Sequence, residues 1–192
     1  ALAWLGDLNG DGTTEEVAVY ASDNGATAMG AVYVLSIDSA TGAAAAQLSV
    51  IGSGKSGSPS LSLTANDNFG SSLAWMGDLD GDSTTQEVAF GATGDDTGAT
   101  GAGAVYIMCL DAAGSATQLS KLASGTPSAL TLAGGDRFGY DVAWLGDLDG
   151  DGAARELAVG ADLRDVSGTD TGAVFLFSLS SAGVPTLISE LG

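Results

Sequence analysis

The chain has 192 residues, 45% of them hydrophobic, with 24 acidic side chains against five basic ones, no histidine and a net charge of -19. That size and apolar content suffice for one ordinary domain or for a piece of a larger one, while the charge excludes phosphate-backbone binding and disfavours an acidic lipid surface, because almost nothing basic is present to displace counterions. No apolar run approaches the ~20 residues that a membrane-spanning helix needs.

The first residues, Ala3-Trp-Leu-Gly-Asp-Leu-Asn-Gly-Asp-Gly12, return as AWMGDLDGDS from Ala74 and AWLGDLDGDG from Ala143. The tryptophans set the period: 71 residues separate Trp4 from Trp75, and 69 separate Trp75 from Trp144. Each unit reads as four short strands. In the second unit these are Leu73-Ala-Trp-Met, then Glu87-Val-Ala-Phe after the acidic loop, then Gly103-Ala-Val-Tyr-Ile-Met-Cys-Leu, and a weaker Thr117-Gln-Leu-Ser-Lys-Leu. The segments are rich in Val, Tyr, Phe and Leu and are bounded by Gly, Asp, Asn and Ser, and none keeps a 3.6-residue apolar period. Four strands per repeat predict an all-β fold of β-propeller-type blades, each of four antiparallel strands.

The repeats divide the chain into three units, 1–68, 69–137 and 138–192. The second and third open with Phe69-Gly70 and Phe138-Gly139; the first lacks that opening, and the third stops short of a full period. Three blades cannot close a ring of the usual four to eight. The chain is therefore expected to belong to a larger propeller or repeat assembly, with other repeats or subunits completing the array. The stretches Gly52 to Ser60 and Ala123 to Ala129 read as flexible surface loops, and their Ser, Thr and Pro content invites O-glycosylation. Gly54-Lys55-Ser56 fails as a phosphate loop, since Ser49 stands where the leading Gly belongs. The lone Cys109 lies in an apolar run and is expected to be a buried, unreactive thiol.

The acidic loops carry the chemistry. Asp147, Asp149 and Asp151 occupy loop positions 1, 3 and 5, with Gly at 6; Asp7, Asn9 and Asp11 do so in the first unit. In the second, Asp78, Asp80 and Asp82 are followed by Ser83. A tightly curled loop turns alternate side chains inward, so this spacing gathers oxygens around a hard cation such as Ca²⁺. Position 9 varies (Glu15, Gln86, Arg155), whereas position 10 is always acidic, which assigns Glu16, Glu87 and Glu156 as the closing carboxylates. A backbone carbonyl near Thr13, Thr84 and Ala153 is expected to add one ligand, giving about three Ca²⁺ sites, one per repeat.

These motifs resemble the FG-GAP repeats that build the N-terminal β-propeller of integrin α subunits and of many secreted or surface proteins. Phe69-Gly70 and Phe138-Gly139 match the first motif; Gly91-Ala-Thr and Gly160-Ala-Asp match the second without its Pro, and Tyr20-Ala-Ser departs further. Gly30-Ala-Val-Tyr, Gly103-Ala-Val-Tyr and Gly172-Ala-Val-Phe also look like the family's strand. The resemblance implies a propeller with Ca²⁺ in its strand-turn loops, held by the first, third and fifth loop residues. The family's closing acid comes at position 9, one residue before the recurring Glu here.

Together these observations point to a non-enzymatic, extracellular or cell-surface calcium-binding module for adhesion or structural assembly, with a surface appendage or fibre as one form. A protein or glycan ligand is the expected partner. The alternative is an accessory propeller of a secreted hydrolase. Nucleophilic triads lack a base, and the only acids outside the loops worth weighing for carboxylate-pair chemistry, Asp95-Asp96 and those from Asp162 to Asp170, are expected to be solvated.

Overall fold

A computed structural model describes residues 1–192 except 23–26, 149, 151, 153, 154 and 167. The described residues form twelve strands and no helix, so no helix is long and apolar enough to cross a membrane. β1 (Leu2–Gly6), β2 (Thr14–Ala21), β3 (Ala31–Asp38) and β4 (Ala44–Ile51) make the first sheet; β5 (Leu73–Gly77), β6 (Gln86–Ala92), β7 (Ala104–Leu110) and β8 (Ala116–Leu122) the second; β9 (Phe138–Gly146), β10 (Arg155–Ala161), β11 (Ala173–Leu179) and β12 (Pro185–Leu191) the third. Each sheet is an antiparallel meander in chain order. All four strands predicted in the second unit are present, and β9 extends further, taking in Phe138-Gly139.

The three sheets stack face to face, and burial along their third strands shows which is in the middle. Every residue of β7 is buried, as a strand covered on both faces requires. In β3 and β11 burial largely alternates, because the two outer sheets are each covered on one face only. One core lies between the first and second sheets, the other between the second and third.

The connectors complete both junctions. Leu61, Leu63 and Phe69 enter the first core; Leu130, Leu132 and Phe138 enter the second. Phe69 stacks on Phe90 at 5.2 Å between centroids and meets Tyr106 edge-on, while Phe138 meets Phe175 and Phe177 edge-on. Close approach dictates Gly103 here. Its φ is +86°, and an added Cβ would fall on the Phe138 carbonyl.

The Gly/Ser connectors differ from their expected flexibility. The Gly52 N–H donates to Ser58 Oγ, the Ser58 hydroxyl donates back to the Gly52 carbonyl, and the Ala116 N–H of β8 donates to the Gly57 carbonyl. In the second connector the Leu132 N–H donates to Ser124 Oγ. Composition suggests a loose linker, but backbone hydrogen bonds and the buried leucines after it tie it to two sheets at once.

One irregularity positions the candidate site. In every unit the pairing of first and second strands skips one residue after the tryptophan, and Gly6, Gly77 and Gly146 then face Glu16, Glu87 and Glu156. All three glycines have φ near +70°. Such a bulge bends the strand end and re-aims the acidic loop beyond it.

Candidate metal centre

The second loop is the best defined. Oxygens of Asp78, Asp80 and Asp82 lie within 4.8 Å of one another, and a second group of the same tightness joins Asp80 to Glu87 and the Cys109 thiol. Asp80 belongs to both. Asp78 accepts the N–H groups of Gly81 and Ser83, Asp80 that of Asp82, and Asp82 those of Thr84 and Thr85. The loop thus curls around its own carboxylates. Ser83 adopts φ +58° where Gly12 and Gly152 have +66° and +67°, so a non-glycine residue accepts the same left-handed turn.

The first loop repeats the pattern. Asp7 accepts from the N–H of Asp11 and of Gly12, and Asn9 Oδ1 from the N–H of Asp11. Asp11 accepts from the Thr13 and Thr14 N–H groups, which hold its carboxyl far below the ordinary range; the same bonds, from Thr84 first, lower that of Asp82. In the third loop Asp147 accepts the Gly152 N–H. Asp149, Asp151 and Ala153 lie outside the described residues.

The recurring Glu sits beneath each loop. Glu16, Glu87 and Glu156 are buried, and Oε2 of each accepts a loop N–H: from Asn9, from Leu79 and Asp80, and from Leu148. Their other oxygens differ. Glu16 Oε1 accepts from the Ser36, Thr14 and Asn9 side chains, Glu87 Oε1 from the Thr85 hydroxyl, and Glu156 Oε1 has no partner among the described residues. Burial raises the Glu87 carboxyl above its usual value despite the two N–H groups. Burial, and then the Glu87 charge, pushes the Cys109 thiol up to about 12, which keeps it protonated and unreactive. The Thr13 carbonyl is used within the fold, accepting from the Ser39 N–H and hydroxyl. The Thr13 and Thr84 hydroxyls donate to Asp11 and Asp82.

A divalent cation fits this donor set. The ion pairs among the described residues are Lys121–Asp95, Arg137–Asp162, Arg164–Asp136 and Arg164–Glu190, and none reaches a loop acid. Clustered carboxylates without a cationic partner, over a buried glutamate, are what a hard cation would stabilise.

Sequence inspection missed a second set of acids. Asp67 and Asp136, each two residues before a Phe-Gly pair, are buried and accept from Thr64 and from the Ala133 N–H, respectively. Their recurrence at that spacing was the available signal. Asp95, expected to be solvated, is 4% exposed and accepts from Lys121 Nζ at 2.8 Å, the Tyr106 hydroxyl at 2.7 Å and the Thr97 N–H. Burial alone would raise its carboxyl, but these donors outweigh it and the net shift is downward. Asp96 is exposed and accepts the Gly101 N–H. At the end of the second strands away from the acidic loops, Tyr20, Asn68, Arg137 and Tyr140 line a cleft of about 450 Å³. No protein-family model matches the chain, and no curated protein matches it in sequence.

Proposed function

We propose that this chain is an FG-GAP-type repeat module, built of propeller blades, that binds Ca²⁺ in its three acidic loops and serves adhesion or structural assembly outside the cell, without catalysis of its own. The observation that carries the proposal is the convergence of Asp78, Asp80 and Asp82 within 4.8 Å in a largely exposed turn with no basic partner among the described residues, together with the same turn geometry around Asp7 and Asp11. Asp7, Asn9 and Asp11, and Asp78, Asp80 and Asp82, would supply the ligands in the first two loops. Asp147 would do so in the third, together with Asp149 and Asp151. Glu16, Glu87 and Glu156 brace the loops from below through the N–H groups they accept. Bound Ca²⁺ supplies charge neutralisation that stiffens the turn. A millimolar extracellular pool fills even weak oxygen cages, which supports the location proposed.

The reading without catalysis rests on how the acids beside one small cleft are engaged. Around the small cleft of about 160 Å³ near Asp95, both Asp67 oxygens are taken by Thr64, Asp95 is paired with Lys121, and Asp96 accepts a backbone N–H. The cleft at Tyr20 and Tyr140, with aromatic rings beside polar groups, suits a protein or glycan contact.

Thermal unfolding in excess EDTA and in Ca²⁺ tests the proposal. At 100-fold excess over Kd, ligand binding adds about 2.7 kcal/mol per site, a rise on the order of 5–10 °C for a chain of this size. Asp80→Asn should remove part of that rise and leave the EDTA transition nearly unchanged. Identical transitions in both solutions would refute the metal assignment.

A further inference from the structure

The cleft at the end of the second strands away from the acidic loops is tied to the middle unit from both sides. Tyr20, near the end of β2, packs over Gly70, where an added Cβ would come within 3.4 Å of its ring. The Ser72 hydroxyl donates to the Gly139 carbonyl at 2.7 Å, and beside this bond Arg137 and Tyr140 line the cleft together with Ser71 and Thr93. The volume enclosed, about 450 Å³, falls in the range of small-ligand pockets, about 300–1,000 Å³.

Its polar walls are held in place by the fold. The Tyr20 hydroxyl donates to Asn68 Oδ1 at 3.3 Å, and the Asn68 amide in turn donates to the Asn66 carbonyl. Arg137 lies over the Tyr140 ring, 4.9 Å from its centroid, and pairs with Asp162 at 3.2 Å, while its side chain stays 41% exposed. Asn68 and Arg137 occupy the same repeat position, and both take a left-handed φ, +54° and +58°, that is uncommon outside glycine. These two side chains line the cleft.

The chemistry of the lining selects among ligands. Its backbone N–H groups are engaged: Tyr20 donates to the Ala1 carbonyl, Asn68 to Ala28, Ser71 to Asn68, Arg137 to Gly101 and Tyr140 to Arg137. An extended peptide, which would add through main-chain bonds, finds no open ladder there. An anion meets one base, already paired with an acid, on a chain of net charge -19. A purely apolar molecule meets no Leu, Ile, Val or Met in the wall. A neutral sugar ring fits what remains, because its C–H face can lie on a tyrosine while its hydroxyls both donate to and accept from Asn68, Ser71, Thr93 and Arg137. We propose that this cleft binds a neutral saccharide. The proposal names the ligand for the contact role given to the cleft above and rests on that role, not on the calcium loops.

Saturation-transfer NMR of the intact chain with cellobiose, maltose, lactose and chitobiose, in EDTA and in Ca²⁺, tests the proposal, and melting curves in the same two solutions report on the loops separately. At least one disaccharide is expected to bind with a Kd on the order of 1 mM, with or without Ca²⁺. Tyr140→Ser and Arg137→Asn each install the residue that the preceding repeat carries at that position, Ser71 and Asn68, so both variants should fold. Each should weaken binding about tenfold, whereas Trp4→Ala, which removes an exposed ring that does not line the cleft, should leave it unchanged. No binding by any of the four sugars at ~20 mM overturns the proposal, and so does binding that both variants leave intact. Gelatin peptides that bind where no sugar does, and are lost in Tyr140→Ser, would place a protein in the cleft and overturn it equally. Failure of the calcium response would refute the loop assignment and leave this result untouched.

Discussion

Lys121 and Glu190 occupy the same position in β8 and β12, and Asp95 and Arg164 the same position after β6 and β10, so one ion pair is built twice with its charges exchanged. The exchange has consequences for the nearby buried acid. Arg164 also reaches Asp136 at 2.8 Å and satisfies it, whereas Asp95 faces Asp67, whose carboxyl is raised by burial first and by Asp95 and Asp96 in addition. Lys121 is thus the cation that the second unit depends on, and it also lies over the Tyr106 ring at 4.7 Å. Lys121→Met should cost about 2 kcal/mol at neutral pH by leaving a buried carboxylate without its charged donor, a fall on the order of 4–8 °C in melting temperature. Asp95 has a depressed folded pKa, so the stabilisation is fully present above the ordinary value of 3.8 and is lost as pH falls through the folded value. Melting curves of the two proteins should therefore converge in acid; a gap that persists there would assign the loss to the aromatic contact instead.

At the scale of the element, the bulge and the Phe-Gly connector do most to define a unit. The bulge before Gly77 sends the chain away from the sheet so that Asp78 to Asp82 curl over Glu87, and the same construction recurs at Gly6 and Gly146. The connector brings Phe138 onto the start of β7, where Gly103 and Phe138 form a parallel bridge. A side chain at Gly103 would meet both a left-handed φ and the Phe138 carbonyl. Gly42, with φ +70° and nothing within 4 Å, presents the first problem without the second. Gly42→Ala should cost about 1 kcal/mol, the usual left-handed penalty, and Gly103→Ala at least about 3 kcal/mol once the junction must open. Equal losses in urea unfolding would mean that the close approach contributes nothing.

For the whole molecule the dominant fact is charge. With 24 acids and five bases, and the loop acids concentrated at one end of the sheets, the folded chain repels itself. Screening should relieve that strain. In EDTA the melting temperature is expected to climb by several degrees between ~10 mM and ~500 mM NaCl, as the Debye length shrinks from about 30 Å to a few ångströms. A flat dependence would show that the acids lie too far apart, or too well hydrogen-bonded, to matter collectively.

Much of this architecture was open to inspection of residues alone. A repeat of about 70 residues is conspicuous, and because strand signals, turns and the Asp-x-Asp pattern are all local, the order of elements, the all-β class and the candidate loops were legible at once. Local patterning did not distinguish a Gly/Ser stretch that dangles from one whose backbone is bonded between two sheets, nor a solvated Asp95 from one paired with a lysine 26 residues away. It picked out the recurring Glu beside each loop but not the N–H groups that the fold aims at it from above. Which copy of an apolar face is covered was likewise decided only by stacking: Val32, Val105 and Val174 are the same residue in the same motif, and only the third lies bare. Local propensity depends on neighbours in sequence and could be read directly. Burial, pairing and the sheet faces left free depend on which distant segments meet in space, and only the tertiary structure supplied that.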